Sequence, residues 1–108
     1  MNAKKQIRKE FRDAVFKRDG YRCVCCGFQS TPEHVQEELD AHHIKPRGEC
    51  KNGGYVIDNG ISLCKFPAFE PGYHENIPSC HEKAEEWLKT GKGEPGYSPD
   101  DLLEKIGK

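Results

Sequence analysis

The chain has 108 residues, enough for one domain, with six cysteines and a net charge of -1. Leu, Ile, Val and Phe supply only 20 of the 108 residues, so a small domain needs a covalent or metal staple. The near-zero charge excludes the highly charged kind of disordered chain, and no apolar run reaches the roughly 18 residues of a membrane span.

The first predicted element is an amphipathic helix over residues 4–18. Ile7, Phe11 and Val15 recur at i, i+4, i+8, with Ala14 beside them, and Gly20 suits its stop. Its basic residues lie mostly off that stripe. Residues 1–22 hold eight Lys or Arg against three acids, a net of +5, while the remainder carries -6. A basic end on an acidic chain suits a polyanion, although a solvated helix face reads the same way. Cys23 and Cys26 follow as a CxxC closed by Gly27, a tight turn that can offer two thiolates to one ion. Residues 29–38 are polar, a loop or a short helix.

Residues 39–44 read as a strand ended by Lys45 and Pro46. Gly53 and Gly54 mark a bend, and residues 60–64 form a second strand. Pro67, Pro71 and Pro78 make 65–79 a loop. Ser79 or Cys80 opens a helix to about Lys89, with Ala84, Trp87 and Leu88 as its apolar stripe and Gly91 and Gly93 after it. Ser98 and Pro99 begin a short last helix reaching about Lys105.

The N-terminus lacks the apolar stretch of a secretory signal, which predicts a reducing, cytoplasmic setting and cysteines that bind metal rather than each other. Cys23, Cys26, Cys64 and Cys80 would then close a tetrahedral, all-sulfur zinc site, a structural type. Cys25 and Cys50 are left over, as inert thiols. A thioredoxin-like use of the CxxC needs a βαβ context that is missing. Adjacent residues on a strand point to opposite faces, so His42 could hold a metal while His43 meets another group; a merely packed pair of histidines fits equally. His81 and Glu85 share one helix face at i, i+4, the spacing of paired metal ligands, or else Glu85 simply faces solvent. His34 and His74 have no evident partner.

Taken in order, five blocks resemble the HNH endonuclease family: residues 16–27 with the CxxC, 39–46 with His42 and His43, Gly53 and Gly54, 59–64 from Asn59 to Cys64, and Cys80 with His81. The resemblance covers about residues 8–90, leaving 91–108 as a C-terminal tail. It implies a single α+β domain, 1–108: a zinc-stabilised ββα-metal core with an N-terminal helix and a short C-terminal helix. It makes His42 and His81 ligands of a catalytic ion and His43 the general base. Asn59 would pin the hairpin loop and orient His43, and the four cysteines would match the family's zinc-knuckle subset. Two departures stand out. Fifteen residues separate Cys64 from Cys80 where the family usually has two, which leaves His74 as a rival fourth zinc ligand. Glu85 replaces a histidine and favours a hard ion such as Mg or Mn, with Ni or Zn as further options.

The implied activity is metal-dependent hydrolysis of DNA phosphodiester bonds, as nicks or cuts, by a monomer or weak dimer with no membrane partner. It is a type of protein that phages and mobile elements also encode. Lys45 and Arg47 would hold flanking phosphates, and Arg8, Arg12 and Arg18 would widen that sequence-independent footprint. The alternative is a non-catalytic zinc-knuckle module that binds nucleic acid. That reading accounts for the cysteines and basic helix but not for His42, His43, Asn59 and His81 together.

Overall fold

Helix α1 runs from Ala3 to Arg18 and buries Phe11, Val15 and Phe16. The structure, a computed structural model, describes residues 3–45, 55–65 and 79–107. Ile7, expected on the apolar stripe, is instead 45% exposed, and Phe16 takes its place in the core. The reason is length. Sixteen helical residues span about 24 Å, whereas the five-residue strands beneath them span roughly 17 Å, so residues 3–10 overhang the body and are exposed.

The end of α1 is capped by its own backbone. Tyr21 N–H donates to the Phe16 carbonyl at 2.9 Å and Gly20 N–H to that of Lys17 at 3.2 Å, the paired bonds of a Schellman motif, with Gly20 at φ 69°. Arg18 then fastens the helix to the sheet. Its Nε and Nη2 donate to the Asp19 carboxylate at 2.8 and 2.9 Å. Its Nη1 and Nη2 also donate to the carbonyls of Ile57 and Gly60 at 2.8 and 2.6 Å. Asp19 Oδ2 in turn accepts from Ser62 N–H at 2.8 Å.

Short helix α2, Val35–Glu38, leads into strand β1, Leu39–His43. A 3₁₀ turn at Ile57–Asn59 enters strand β2, Gly60–Cys64. The strands pair antiparallel, with His42 opposite Ile61 and His43 opposite Gly60. All five residues of β2 are buried, because α1 covers one side of the hairpin and helix α3, Cys80–Thr90, the other. Alternation along β1 therefore turns Asp40 and His42 toward α3 and His43 toward α1.

Gly60 is where α1 comes closest. A Cβ there would lie 2.4 Å from Val15 Cγ2 and 2.7 Å from Phe11 Cζ. Gly60→Ala is expected to cost about 1–3 kcal/mol by overpacking, and urea titration checks this; a variant as stable as the parent would show that α1 can retreat freely.

Ser79 caps α3, its Oγ accepting from Glu82 N–H at 3.1 Å, and Gly91 ends it at φ 75°. Only Cys80 and Ala84 are buried in α3, while Trp87 and Leu88 are half-buried. Helix α4, Pro99–Lys105, packs on α3, and Leu102, 1% exposed, anchors the C-terminal tail to the core while residues 91–95 stay exposed. Among the described residues the architecture is α+β, a two-stranded sheet between helices. No helix there is long and apolar enough to cross a membrane. Cys50, the Gly53–Gly54 bend and most of the 65–79 loop, with its three prolines, lie outside the described residues.

Candidate metal centres

The first centre is sulfur. A tight turn after α1 is closed by Cys23 N–H to the Phe28 carbonyl and Gly27 N–H to that of Cys23, both at 2.9 Å, with Gly27 at φ 81°. Cys26 N–H points at Cys23 Sγ, 3.5 Å away. Cys64 arrives at the end of β2 and Cys80 on the first turn of α3, whose N–H donates to Cys64 Sγ at 3.4 Å. The ligand atoms of Cys23, Cys26, Cys64 and Cys80 all lie within 4.8 Å of one another. A tetrahedron built on Zn–S bonds of ~2.3 Å has edges of about 3.8 Å, and Cys26 and Cys64 are separated by 3.7 Å.

The thiols also interact strongly with one another. Hydrogen bonds from Cys64 and Cys80 pull the Cys23 thiol down from its ordinary value. Cys64 is pushed up to about 12, chiefly by its bond to Cys23, and Cys80 is pushed up by Cys23 and then Cys64. Four thiolates this close would repel one another unless an ion lay among them, so the sulfur geometry is what supports zinc. The fit to zinc is thus good. Cys25 stands outside the cluster, half-buried, its thiol raised to about 12 chiefly by desolvation. His74, the rival ligand, lies outside the described residues.

The second centre is nitrogen and oxygen, on the α3 face of the hairpin. Asp40 and His42 come from alternate positions of β1, and His81 and Glu85 from successive turns of α3. Asp40 Oδ2 and Glu85 Oε1 each lie 3.2 Å from His81 Nε2, and Glu85 Oε1 lies 3.4 Å from His42 Nδ1. Bonds of ~2.1 Å to a shared ion give ligand separations of about 3.0–3.4 Å. Asp40, His42 and His81 form the tight group, and Glu85 borders it. The His42 side chain is 1% exposed, yet both its ring nitrogens lack a hydrogen-bond partner. A buried imidazole with no partner costs free energy unless something else accepts its lone pair. The donor set of two imidazoles and one or two carboxylates fits a divalent ion of the Mg, Mn, Ni or Zn type.

Burial, then the charges of His81 and His43, lower the His42 pKa to about 3 from its ordinary 6.5. The imidazole therefore stays neutral, as a metal ligand must. Because the folded value lies below the unfolded one, the associated stability is present above pH 6.5 and is lost as pH falls toward 3. Without added divalent ion, unfolding free energy should drop by about 1 kcal/mol between pH 7 and 5.5. His42→Asn should flatten that slope in urea titrations; an equal slope in both proteins would assign it to other groups.

His43 faces the other way. Phe11 stacks on its ring at 4.8 Å and 15°, and Tyr55 meets it edge-on at 4.7 Å. The three rings line a cavity of about 270 Å³ together with Arg8, Arg12, Asp40 and Ala41. Asn59, 5% exposed, ties the two ends of the hairpin loop. Its Oδ1 accepts from Lys45 N–H at 2.9 Å, its Nδ2 donates to the Lys45 carbonyl at 3.3 Å, and its own carbonyl accepts from Ile44 N–H at 2.8 Å. That clamp falls one and two residues beyond His43.

Among the expected phosphate contacts, Arg8 is exposed and Lys45 half-exposed, while Arg47 lies outside the described residues. Arg18 departs from expectation, since its guanidinium is engaged by Asp19 and two carbonyls. Asp40 is the site residue that motif reading passed over; its signal was the i, i+2 alternation with His42. Compared with known proteins, the chain matches no family model, no curated protein and no solved structure.

Proposed function

We propose that this chain is a metal-dependent DNA endonuclease of the HNH type, with a structural zinc on its four cysteines. The observation that carries the reading is His42, buried with both ring nitrogens unpartnered and grouped with Asp40, His81 and Glu85, while its neighbour His43 opens onto a separate cavity. A ligand group on one face of the strand and an imidazole lining a cavity on the other favour a catalytic use over a purely structural one. The ordered resemblance of the sequence blocks supplies the nuclease chemistry.

A divalent ion at the His42 site would supply charge neutralisation at a phosphate oxygen and at the leaving oxygen. The chain's own groups divide the remaining work. Asp40, His42 and His81 offer the ligands, with Glu85 at the rim. His43, as a neutral imidazole, takes a proton from the attacking water while the new P–O bond forms and the bond to the 3′ oxygen breaks. The departing oxygen takes its proton from solvent, leaving a 5′ phosphate. Asn59 holds the backbone just after His43, so the imidazole keeps its aim. Lys45 and Arg8 meet flanking phosphates without reading sequence.

The test is plasmid cleavage in a panel of Mg, Mn, Ni and Zn, with His43→Ala beside the parent. Conversion of supercoiled plasmid to nicked or linear form by the parent alone is the expected result. A zinc-loaded, folded parent that cuts nothing in any ion would leave the rival reading, a nucleic-acid-binding module, for which the basic overhang of α1 would suffice.

A further inference from the structure

By sequence, Arg12 is one of several interchangeable cations on α1. The fold sets it apart. Residues 3–10 of α1 are exposed and Phe11 is buried, so Arg12 sits where the overhanging half of the helix meets the body. Its Nε is buried and has no hydrogen-bond partner. Among the described residues Arg12 forms no ion pair, whereas Lys9, Arg18 and Lys83 each hold an acid. A guanidinium nitrogen removed from water without an acceptor is costly, and its planar fork matches the paired oxygens of a carboxylate or phosphate.

The carboxylate at hand is committed elsewhere. Asp40 lines the 270 Å³ cavity with Arg12 and His43, but its Oδ2 lies 3.2 Å from His81 Nε2, in the metal group. A second cavity, of about 470 Å³, is lined by Lys5, Arg8, Lys9 and Arg12. The two cavities share Arg8 and Arg12, so a basic track leads along α1 to His43 and ends at Arg12. The hairpin thus separates an acidic, imidazole-rich face that wants a cation from a basic face that wants an anion, and Asp40 borders both.

We propose that Arg12 is a catalytic residue that donates N–H bonds to a non-bridging oxygen of the phosphodiester lying against His43, with Lys5 and Arg8 holding the strand that leads away along α1. The proposal rests on the nuclease reading and deepens it: helix α1 forms one wall of the reaction site as well as gripping DNA. Arg12 transfers no atom. It binds charge that grows on the phosphate oxygens as water attacks, so its loss weakens the transition state more than the bound substrate.

Two readouts test this on the zinc-loaded chain: single-turnover plasmid cleavage at saturating protein in Mg or Mn, and anisotropy of a short fluorescent DNA oligonucleotide without added divalent ion. Arg12→Ala should slow cleavage about 10²-fold while weakening the oligonucleotide by less than about tenfold. Arg12→Lys, which restores charge without the fork, should recover affinity and stay slow; it also carries the test if the alanine variant fails to fold. Arg22→Ala, an exposed charge outside the site, should cut like the parent. Either Arg12 variant cutting within a few-fold of the parent would overturn the proposal. A parent that cuts nothing would defeat the nuclease reading instead. Anisotropy then decides: oligonucleotide binding unweakened in Arg12→Ala overturns the Arg12 site as well, and binding weakened there upholds it as a phosphate site.

Discussion

Replacing Cys64 with serine is expected to leave the chain without a cooperative melting transition at ordinary temperature. Cys64 is 1% exposed, its Sγ lies 3.7 Å from Cys26 Sγ, and it accepts the first N–H of α3. It therefore joins three parts of the fold: the turn after α1, strand β2 and the start of α3. Structural zinc supplies about 10–16 kcal/mol of apparent folding free energy in small domains, as much as the whole net stability of a typical one, about 5–15 kcal/mol. With so few large apolar residues, the core has little to offset that loss. Far-UV circular dichroism and elemental analysis read the outcome, with about one tightly held zinc in the parent. Cys25→Ser is the companion: that thiol stands outside the cluster, so zinc should be retained and stability should change by about 1 kcal/mol. A Cys64→Ser protein that melts like the parent, or a folded parent free of metal, would defeat the assignment.

His43→Ala is expected to abolish DNA cleavage while the domain stays folded. General-base catalysis contributes typically 10²–10⁴-fold, enough to take a modest nuclease below detection. The fold should survive because His43 sits on the face away from both ligand groups, opposite Gly60 and between Phe11 and Tyr55. Truncation there enlarges an existing cavity and should cost about 1–2 kcal/mol. His43→Asn fills more of that space without supplying a base, so it should be as inactive and closer to the parent in stability. Full activity in either variant would remove His43 from the reaction. The plasmid assay, scored beside a thermal melt and zinc content, separates chemical loss from unfolding.

Much of the scaffold was legible along the chain because its causes are local. Gly20 stops α1, Ser79 caps α3 and Gly91 ends it, each through bonds spanning five residues or fewer. The strands at 39–43 and 60–64 fall where short apolar runs meet turn residues. The CxxC announced a site that needs two more donors, but sequence left the fourth open between Cys80 and His74, and it is the fold that brings Cys64 and Cys80 to Cys23 and Cys26. Placing His42 and His43 on opposite faces needed only the period of a strand.

The rest depended on which faces meet. Ile7 satisfies the helical period yet is exposed, since nothing in the period states how far the hairpin extends under α1. Asp40 became a site residue only when α3 laid His81 within 3.2 Å of it. Arg12 and Arg18 show the division most clearly. Both are arginines on one helix, and sequence gives them the same role. Packing engages Arg18 with Asp19 and the carbonyls of Ile57 and Gly60, and leaves Arg12 with a buried, unpartnered nitrogen beside His43. Composition and spacing determined that a thin-cored domain with a CxxC turn and a two-faced histidine pair would form. Which charges are spent on holding it together, and which remain for a ligand, is decided by contacts some forty residues apart in the chain, which local sequence does not encode.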